Sequence, residues 1–323
     1  MHEILCGDAI ALLAECEREY QAIYIDPPYE LNRSFRYTAS PESTGFDDRL
    51  RSEQYSEWLA KLVVGCKRIL ADDGILFLHI SAEQSLIPEN VLAEHFQRIE
   101  KIVWKKAHGK NTVKTKLGAV VDIILMASAN IRKFNLVRVP LDETYLANSY
   151  SQRDEVGEYA LGALKHDKTR LGNFFQVPHP ESDQIYEAPY GWKTSEEGMA
   201  DLIAADRIHW GRRMLYKKLY RHEVKGRPLS NLWDDIHYIT RSEGDQRRYP
   251  TQKPLKLLQR IIEISTDEGD WVLDPVAGSG TTGHAAESLG RNCTLIDENP
   301  DAVEIIADRL AERVQAPASS SRA

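Results

Sequence analysis

The residues best suited to chemistry lie in a few short stretches far apart in the chain. Gln21-Ala22-Ile23-Tyr24-Ile25-Asp26-Pro27-Pro28-Tyr29 is an apolar run of strand length that stops at an acid, two prolines and an aromatic ring. Proline cannot donate to a sheet ladder, so the strand must end at or near Asp26. The two fixed φ angles stiffen the loop, with the Asp26 carboxylate at its root and the Tyr29 ring beyond. A rigid acid beside a flat ring suits a planar ligand that carries an amino group. The same residues also make an ordinary surface turn.

A second stretch, Asp274-Pro275-Val276-Ala277-Gly278-Ser279-Gly280-Thr281-Thr282-Gly283, lies between an apolar run and a helical pattern. Glycines there let the backbone approach a ligand closely, and a helix N-terminus supplies free N–H groups. Asp297 ends the next apolar run, where an acid can bind ribose hydroxyls. The pair fits NAD and S-adenosylmethionine equally, because both carry an adenosine. The remaining candidates are basic. Lys101, Lys105, Lys106, Lys110, Lys114 and Lys116 meet no acid until Asp122. Arg207, Arg212, Arg213, Lys217, Lys218, Arg221, Lys225 and Arg227 form a second cluster, interleaved with Trp210, Tyr216 and Tyr220. Such clusters suit phosphate contacts or a solvated face.

Those stretches need elements to hold them. Ile4-Leu5-Cys6-Gly7-Asp8 reads as a short strand and turn, followed by helical spacing from Ala9 to Tyr20. Tyr55 to Leu70 is amphipathic, and Ile75 to Ile80 is a buried strand. Val91 to Phe96 is helix-like; Ile99 to Lys105 and Val120 to Met126 are strand-like. Glu30 to Asp48 is expected to be a long irregular loop. From 130 to 235 the alternation gives way to an aromatic, polar and basic stretch, read as an inserted second domain. The rhythm returns with a helix at Leu255 to Ile264, strands at Trp271 to Asp274 and Cys293 to Asp297, and a helix from Asp301 to Val314. The tail from 316 to 323 is expected to be disordered. Alternating strands and helices predict an α/β fold with a mostly parallel sheet.

The chain has 323 residues, 42% of them hydrophobic, with a formal net charge of −8. No apolar run approaches the roughly 20 residues of a membrane span. The N-terminus lacks a signal pattern, so a cytoplasmic protein is expected. Cys6, Cys16, Cys66 and Cys293 are scattered, which disfavours zinc and disulfide frameworks, and the histidines show no metal spacing.

The order of the pieces separates the two cofactors. A dinucleotide-binding chain begins with its glycine loop, whereas here the loop lies near the C-terminus. Strands 271–274 and 293–297 are expected first in space, then 4–8, 21–26, 75–80, 99–105 and 120–126. This is a circularly permuted, doubly wound, Rossmann-like sheet, with the glycine loop and Asp26 as neighbours on its carboxyl edge.

Asp26-Pro27-Pro28-Tyr29, Thr251-Gln252-Lys253-Pro254 and Asp274-Pro275-Val276-Ala277-Gly278-Ser279-Gly280, in this order, resemble the β-class amino DNA methyltransferases. Gly226 to Ile236 is similar to modification subunits of type III restriction systems. Two departures stand out: Val276 replaces the usual phenylalanine, and Val121-Asp122 stands where a His-Glu pair is common. The resemblance implies a catalytic half at 1–129, a target-recognition insertion at 130–235 and a cofactor half at 236–315. It implies that Asp26, Pro27, Pro28 and Tyr29 hold a flipped base. Asp8, Thr251, Lys253, Asp274, Ala277, Gly278, Ser279, Gly280, Thr281 and Asp297 would then surround S-adenosyl-L-methionine. Within that set, Asp8 would lie near the adenine, and Thr251 and Lys253 would close the methionine end. Lys105, Lys106, Lys110, Lys114, Arg212, Arg213 and Lys217 are the residues expected to bind double-stranded DNA. The expected activity is adenine-N6 methylation. Cytosine-N4 methylation and a non-catalytic DNA-binding subunit of a restriction complex are the alternatives. A homodimer and a partner restriction endonuclease follow by family analogy.

Overall fold

The computed structural model describes residues 1–27, 33–36, 45–48, 52–106, 117–129, 132–238 and 252–314. Pro28, Tyr29, Lys110, Lys114, Thr251 and the tail at 316–323 lie outside the described residues. The chain divides into two compact units, Met1–Val137 with Ser230–Ala323, and Arg138–Leu229. The second unit is narrower at both ends than the 130–235 stretch marked in the sequence.

The first unit is built on an eight-stranded sheet. Its strands are β1 (His2–Cys6), β2 (Tyr20–Ile25), β3 (Leu70–Ser81), β4 (Arg98–Lys105), β5 (Val121–Ser128), β6 (Leu232–Trp233), β7 (Trp271–Asp274) and β8 (Asn292–Asp297). Its helices are α1 (Ala9–Glu15), α2 (Ser52–Ile69), α3 (Leu86–His95), α4 (Leu255–Ser265), α5 (Thr281–Ser288) and α6 (Pro300–Val314). The sheet order is β1-β8-β7-β2-β3-β5-β4-β6, and only β5 runs antiparallel to its neighbours.

This order corrects the expected one in two places. β1 lies at the edge beyond β8, and β7 takes the place beside β2. Val272, Leu273, Ala22 and Ile23 are all buried, so β7 and β2 can be covered on both faces, whereas β1 exposes three of its five residues. Apolar strands belong in the centre of a parallel sheet and a half-polar one at its rim. The second correction is that β5 sits between β3 and β4. An antiparallel neighbour needs no crossover helix, so β4 can turn back directly into β5. A smaller difference falls in 30–48, where Arg33–Arg36 and Gly45–Asp48 pair as two antiparallel strands.

The amphipathic face of α2 packs Leu59, Leu62, Val63 and Cys66 onto Ile23, Ile25, Leu76, Leu78, Leu125 and Leu273, forming a core on one face of the sheet. These residues alternate along their strands, leaving Tyr24, Phe77 and His79 on the opposite face. There α4 buries Leu257, Leu258, Ile261 and Ile262. At the β1 edge of the sheet Cys293 donates its N–H to the Met1 carbonyl (3.1 Å), and α6 packs against β1.

The second unit has a four-stranded antiparallel sheet in the order Ile208–Trp210, Leu215–Tyr220, Glu158–Ala163, Gln152–Arg153. Its core gathers Leu164, Val177, Tyr186, Trp192, Met199, Ile208 and Leu215. The Trp192 indole N–H donates to the Phe175 carbonyl at 2.9 Å. The helix Glu196–Ala204 is capped by Ser195, whose hydroxyl accepts from Gly198 N–H.

Candidate active site

β2 and β7 are parallel neighbours, with Ala22 opposite Val272 and Ile23 opposite Leu273. Their carboxyl ends therefore emerge side by side, bringing Asp26 and Asp274 to one edge. Lys253, on the segment that enters α4, donates from its ammonium to Asp26 Oδ2. Only 8% of the lysine side chain and 19% of the aspartate side chain are exposed. A buried ammonium needs a counter-charge, and Asp26 supplies it. The family resemblance assigned Lys253 to the methionine end of a cofactor; the structure sets it against the acid of the Asp-Pro-Pro loop. Pro27 is buried beside it.

The glycine loop is held from below and from the side. Asp274, 2% exposed, accepts from the Thr282 hydroxyl at 2.5 Å and from Val276 N–H at 3.2 Å. Burial pushes its carboxyl up to about 7, a shift the Thr282 and Val276 bonds only partly oppose. Ala277 N–H donates to the Ile296 carbonyl at 2.8 Å. Asp297 Oδ2 accepts from Gly278 N–H at 2.8 Å and its Oδ1 from Asn299 N–H at 3.0 Å. Burial raises the Asp297 pKa, against those two backbone bonds.

Gly280 starts α5 with φ +71°, and a Cβ there would lie 2.9 Å from Ile306 Cγ1. A side chain has no room at the point where the helix N-terminus faces the loop. The Thr281 hydroxyl is shared with Ser279 (3.0 Å) and accepts from Arg309 Nη1 (2.9 Å). Arg309 Nη2 donates to Gln252 Oε1 (2.8 Å), so one buried guanidinium ties the Thr-Gln-Lys-Pro segment to the start of α5. Asp8 is exposed and caps α1, accepting from Ala11 N–H at 2.8 Å. It stands one residue past Gly7, whose N–H donates to the Asp297 carbonyl at 3.0 Å, so it shares the edge with Asp297.

The donor set suits an adenosine-bearing cation. Asp297 keeps free acceptor capacity after its two backbone bonds, because a carboxylate offers about four lone-pair sites. The α5 N-terminus and the glycine backbone leave room for close approach, and the edge is rich in acids. Among the described residues, no cluster of His, Cys, Asp or Glu is placed to hold a metal ion, and no helix is long and apolar enough to cross a membrane.

Several functional candidates were not singled out from the sequence. Arg309 falls within the helix expected from Asp301 to Val314, where nothing in the sequence marks it out. His79 reads as a core residue inside Ile75 to Ile80. In the structure the Tyr24 hydroxyl and His79 Nδ1 are 2.8 Å apart, and His79 Nε2 is 3.4 Å from Asp122 Oδ2. Asp122, the position that departs from the family pair, is 3% exposed and also accepts from Lys106 Nζ at 2.6 Å. Lys106, named in the sequence for DNA, is thus already held by an acid, while Lys105 is half-buried with no ion pair among the described residues.

In the second unit, ion pairs divide the basic cluster. Lys218 is buried between Asp154 and Asp206 (2.9 Å each), Arg207 pairs with Glu223, and Arg221 with Glu143 and Glu158. Arg212 and Arg213 are exposed in the turn between Ile208–Trp210 and Leu215–Tyr220. Neither they nor the half-buried Lys217 make an ion pair among the described residues.

Residues 20–308 match the family model for N6/N4 DNA methylases. The type II methyltransferase M.HpaI of Haemophilus parainfluenzae is 38% identical over 317 residues, covering 95% of this chain and 73% of that protein. M.EcaI of Enterobacter cloacae is 28% identical over 306 residues, covering 91% of this chain and 65% of M.EcaI. The chain spans about half to two thirds of the length of M.EcaI and other curated relatives. The fold is shared with a DNA modification methylase of Thermus thermophilus, at TM-score 0.52 and 16% identity over 98% of this chain and 97% of that one. The chain belongs to the N6/N4 DNA methylase family, whose methyl donor is S-adenosylmethionine.

Proposed function

We propose that this protein methylates the exocyclic N6 amine of adenine in double-stranded DNA. The observation that carries the reading is Asp26, a strand-end carboxylate beside the glycine loop, partnered by Lys253. An aromatic amine is a weak nucleophile because its lone pair is delocalised into the ring. An acceptor at Asp26, together with the Pro27 carbonyl, draws on both N–H groups and favours a more pyramidal nitrogen. A carboxylate offers about four lone-pair sites, more than a single ammonium contact uses. When bound, S-adenosylmethionine supplies an electrophilic methyl group, and in-line positioning then carries much of the rate. Asp297 is assigned to the ribose, the loop at 277–280 to the methionine portion, and Asp8 to the neighbourhood of the adenine. Tyr29 is assigned to stacking on the flipped base, which offsets part of the unstacking cost.

Adenine is favoured by the acid at position 26, since cytosine-N4 enzymes often carry serine there. A relative named as a DNA adenine methyltransferase, YhdJ of Escherichia coli, is 24% identical over 310 residues. Cytosine-N4 methylation is the second reading, because the PvuII cytosine-N4 enzyme has the same fold, at TM-score 0.55. For DNA contacts we assign Lys105, Arg212, Arg213 and Lys217. Titration with S-adenosylhomocysteine and with NAD tests the cofactor: the first should bind and the second should not. Modification-aware sequencing of DNA from expressing cells then reads the base, and N4-methylcytosine would select the second reading.

A further inference from the structure

A polar row crosses the face of the sheet opposite α2. Tyr24 on β2 is opposite Phe77, which sets His79 diagonally across from it on β3. Ser81 is opposite Asp122, which sets Asp122 diagonally across from His79 on β5. Lys106, just beyond β4, closes the row on Asp122 at 2.6 Å. Trp104, opposite Asp122, turns its ring edge-on to His79, with centroids 5.5 Å apart at 85°. Tyr24, His79 and Asp122 are at most 3% exposed.

The protons of this row have one direction. A carboxylate only accepts, so Asp122 accepts from Lys106 Nζ, and at 3.4 Å from His79 Nε2, a contact longer than a well-formed hydrogen bond, its charge favours the tautomer with the proton on that nitrogen. His79 Nδ1 is then the acceptor, and the Tyr24 hydroxyl donates to it at 2.8 Å. Burial, reinforced by the Lys253 charge, holds His79 below its ordinary pKa and therefore neutral. Burial raises Tyr24, which keeps its proton. Burial opposes ionisation of Asp122, but the neighbouring His79 and Lys106 outweigh that.

Stability alone does not account for such a row. Apolar side chains of similar volume would serve this face at least as well, as Ile124 and Met126 do beside it. Buried, mutually perturbed groups next to a site are candidates for function. The row ends two residues before Asp26, and strand alternation carries Tyr24 and Asp26 to the same face.

We propose that Tyr24, His79 and Asp122 form a buried positioning relay for Asp26, with Lys106 keeping the relay electrically neutral. The Asp122 carboxylate fixes the His79 tautomer, the tautomer fixes Tyr24 as donor, and Tyr24 locks the end of β2 from which Asp26 meets the amine. The relay rests on the methyltransferase reading above.

The test is a double-mutant cycle on the full chain, using Tyr24→Phe, Asp122→Asn and both together. Turnover, S-adenosylhomocysteine affinity and melting temperature are measured for each. Tyr24→Phe removes one oxygen, which guards against loss of the fold. Each single variant should lose about 10- to 100-fold in kcat, with cofactor affinity within about 2-fold of wild type. The double variant should be no slower than the worse single, because both act through His79. Single variants with wild-type kcat, or losses that multiply in the double variant, would overturn the relay. A wild-type protein that methylates no DNA base would instead overturn the reading on which it rests.

Discussion

Gly280→Ala separates two reasons for a glycine at the start of the cofactor helix. At φ +71° an alanine costs about 1 kcal/mol of backbone strain. Its Cβ would also lie 2.9 Å from Ile306 Cγ1 and 3.1 Å from Cγ2, and Ile306 is fully buried on α6. Forcing that side chain aside should cost a further 1–3 kcal/mol, about what overpacking costs in other cores. The total is about 2–4 kcal/mol, or roughly 4–16 °C in melting temperature for a unit of this size. Gly269→Ala is the control. Its φ is +86°, but nothing lies within 4 Å of the Cβ an alanine would place there, so only the backbone cost applies. Thermal unfolding monitored by circular dichroism, paired with calorimetric titration of S-adenosylhomocysteine, reads both effects. Gly280→Ala should be the less stable and should bind at least about 10-fold more weakly, since any shift of α6 against α5 moves the loop. Gly269→Ala should bind normally. Equal destabilisation of the two variants, with cofactor binding intact in both, would refute the steric argument.

Further outcomes follow from the same geometry. Asp274 titrates near 7 in the folded chain and at its ordinary 3.8 when unfolded. Between those values the unfolded state holds fewer protons, so this group removes stability as pH rises, by roughly 4 kcal/mol over the window. Asp274→Asn should flatten the fall in melting temperature between about pH 4 and 7; an unchanged slope would assign the titration to another group. Asp297→Ala removes a carboxylate that also holds Gly278 N–H, and should weaken S-adenosylhomocysteine at least about 10-fold, the loss of one charged hydrogen bond. An unchanged dissociation constant would remove Asp297 from the site. Arg212→Ala with Arg213→Ala should lower the slope of log affinity for DNA against log salt by about 2, and an unaltered slope would place the phosphate contacts elsewhere.

The parts legible in the sequence were those that local physics decides. Proline ended β2 at Asp26, glycines marked the turn into α5, and apolar periodicity located α2, α4, β3, β7 and β8. Strand neighbours were harder, because a two-residue period reports which faces are buried and not what lies alongside. Hence β1 was expected between β8 and β2, and β5 outside β4. Asp26 and the glycine loop were expected on one edge, but the expected strand order kept β7 apart from β2; the direct pairing that makes them neighbours is visible only in the structure. The partner of Lys253 could not be read, since 227 residues separate it from Asp26 and a lysine before a helix carries no label for its counter-ion. His79 was hidden for a different reason. One histidine inside Ile75 to Ile80 looks like a core residue until Tyr24 and Asp122 are found on either side of it. The basic cluster at 207–227 showed charge but not pairing, and three of its members turn out to be neutralised within the second unit.

In the proposed reaction Asp26 holds the amine that receives the methyl group. The most direct measurement is nucleoside mass spectrometry of DNA from cells expressing the wild-type chain or Asp26→Ala, with S-adenosylhomocysteine titration confirming that both bind cofactor. The expected result is N6-methyladenine with the wild type and none with the variant, at nearly equal cofactor affinity. Undiminished methylation by Asp26→Ala, or no methylated base from a wild type that binds the cofactor, would contradict it.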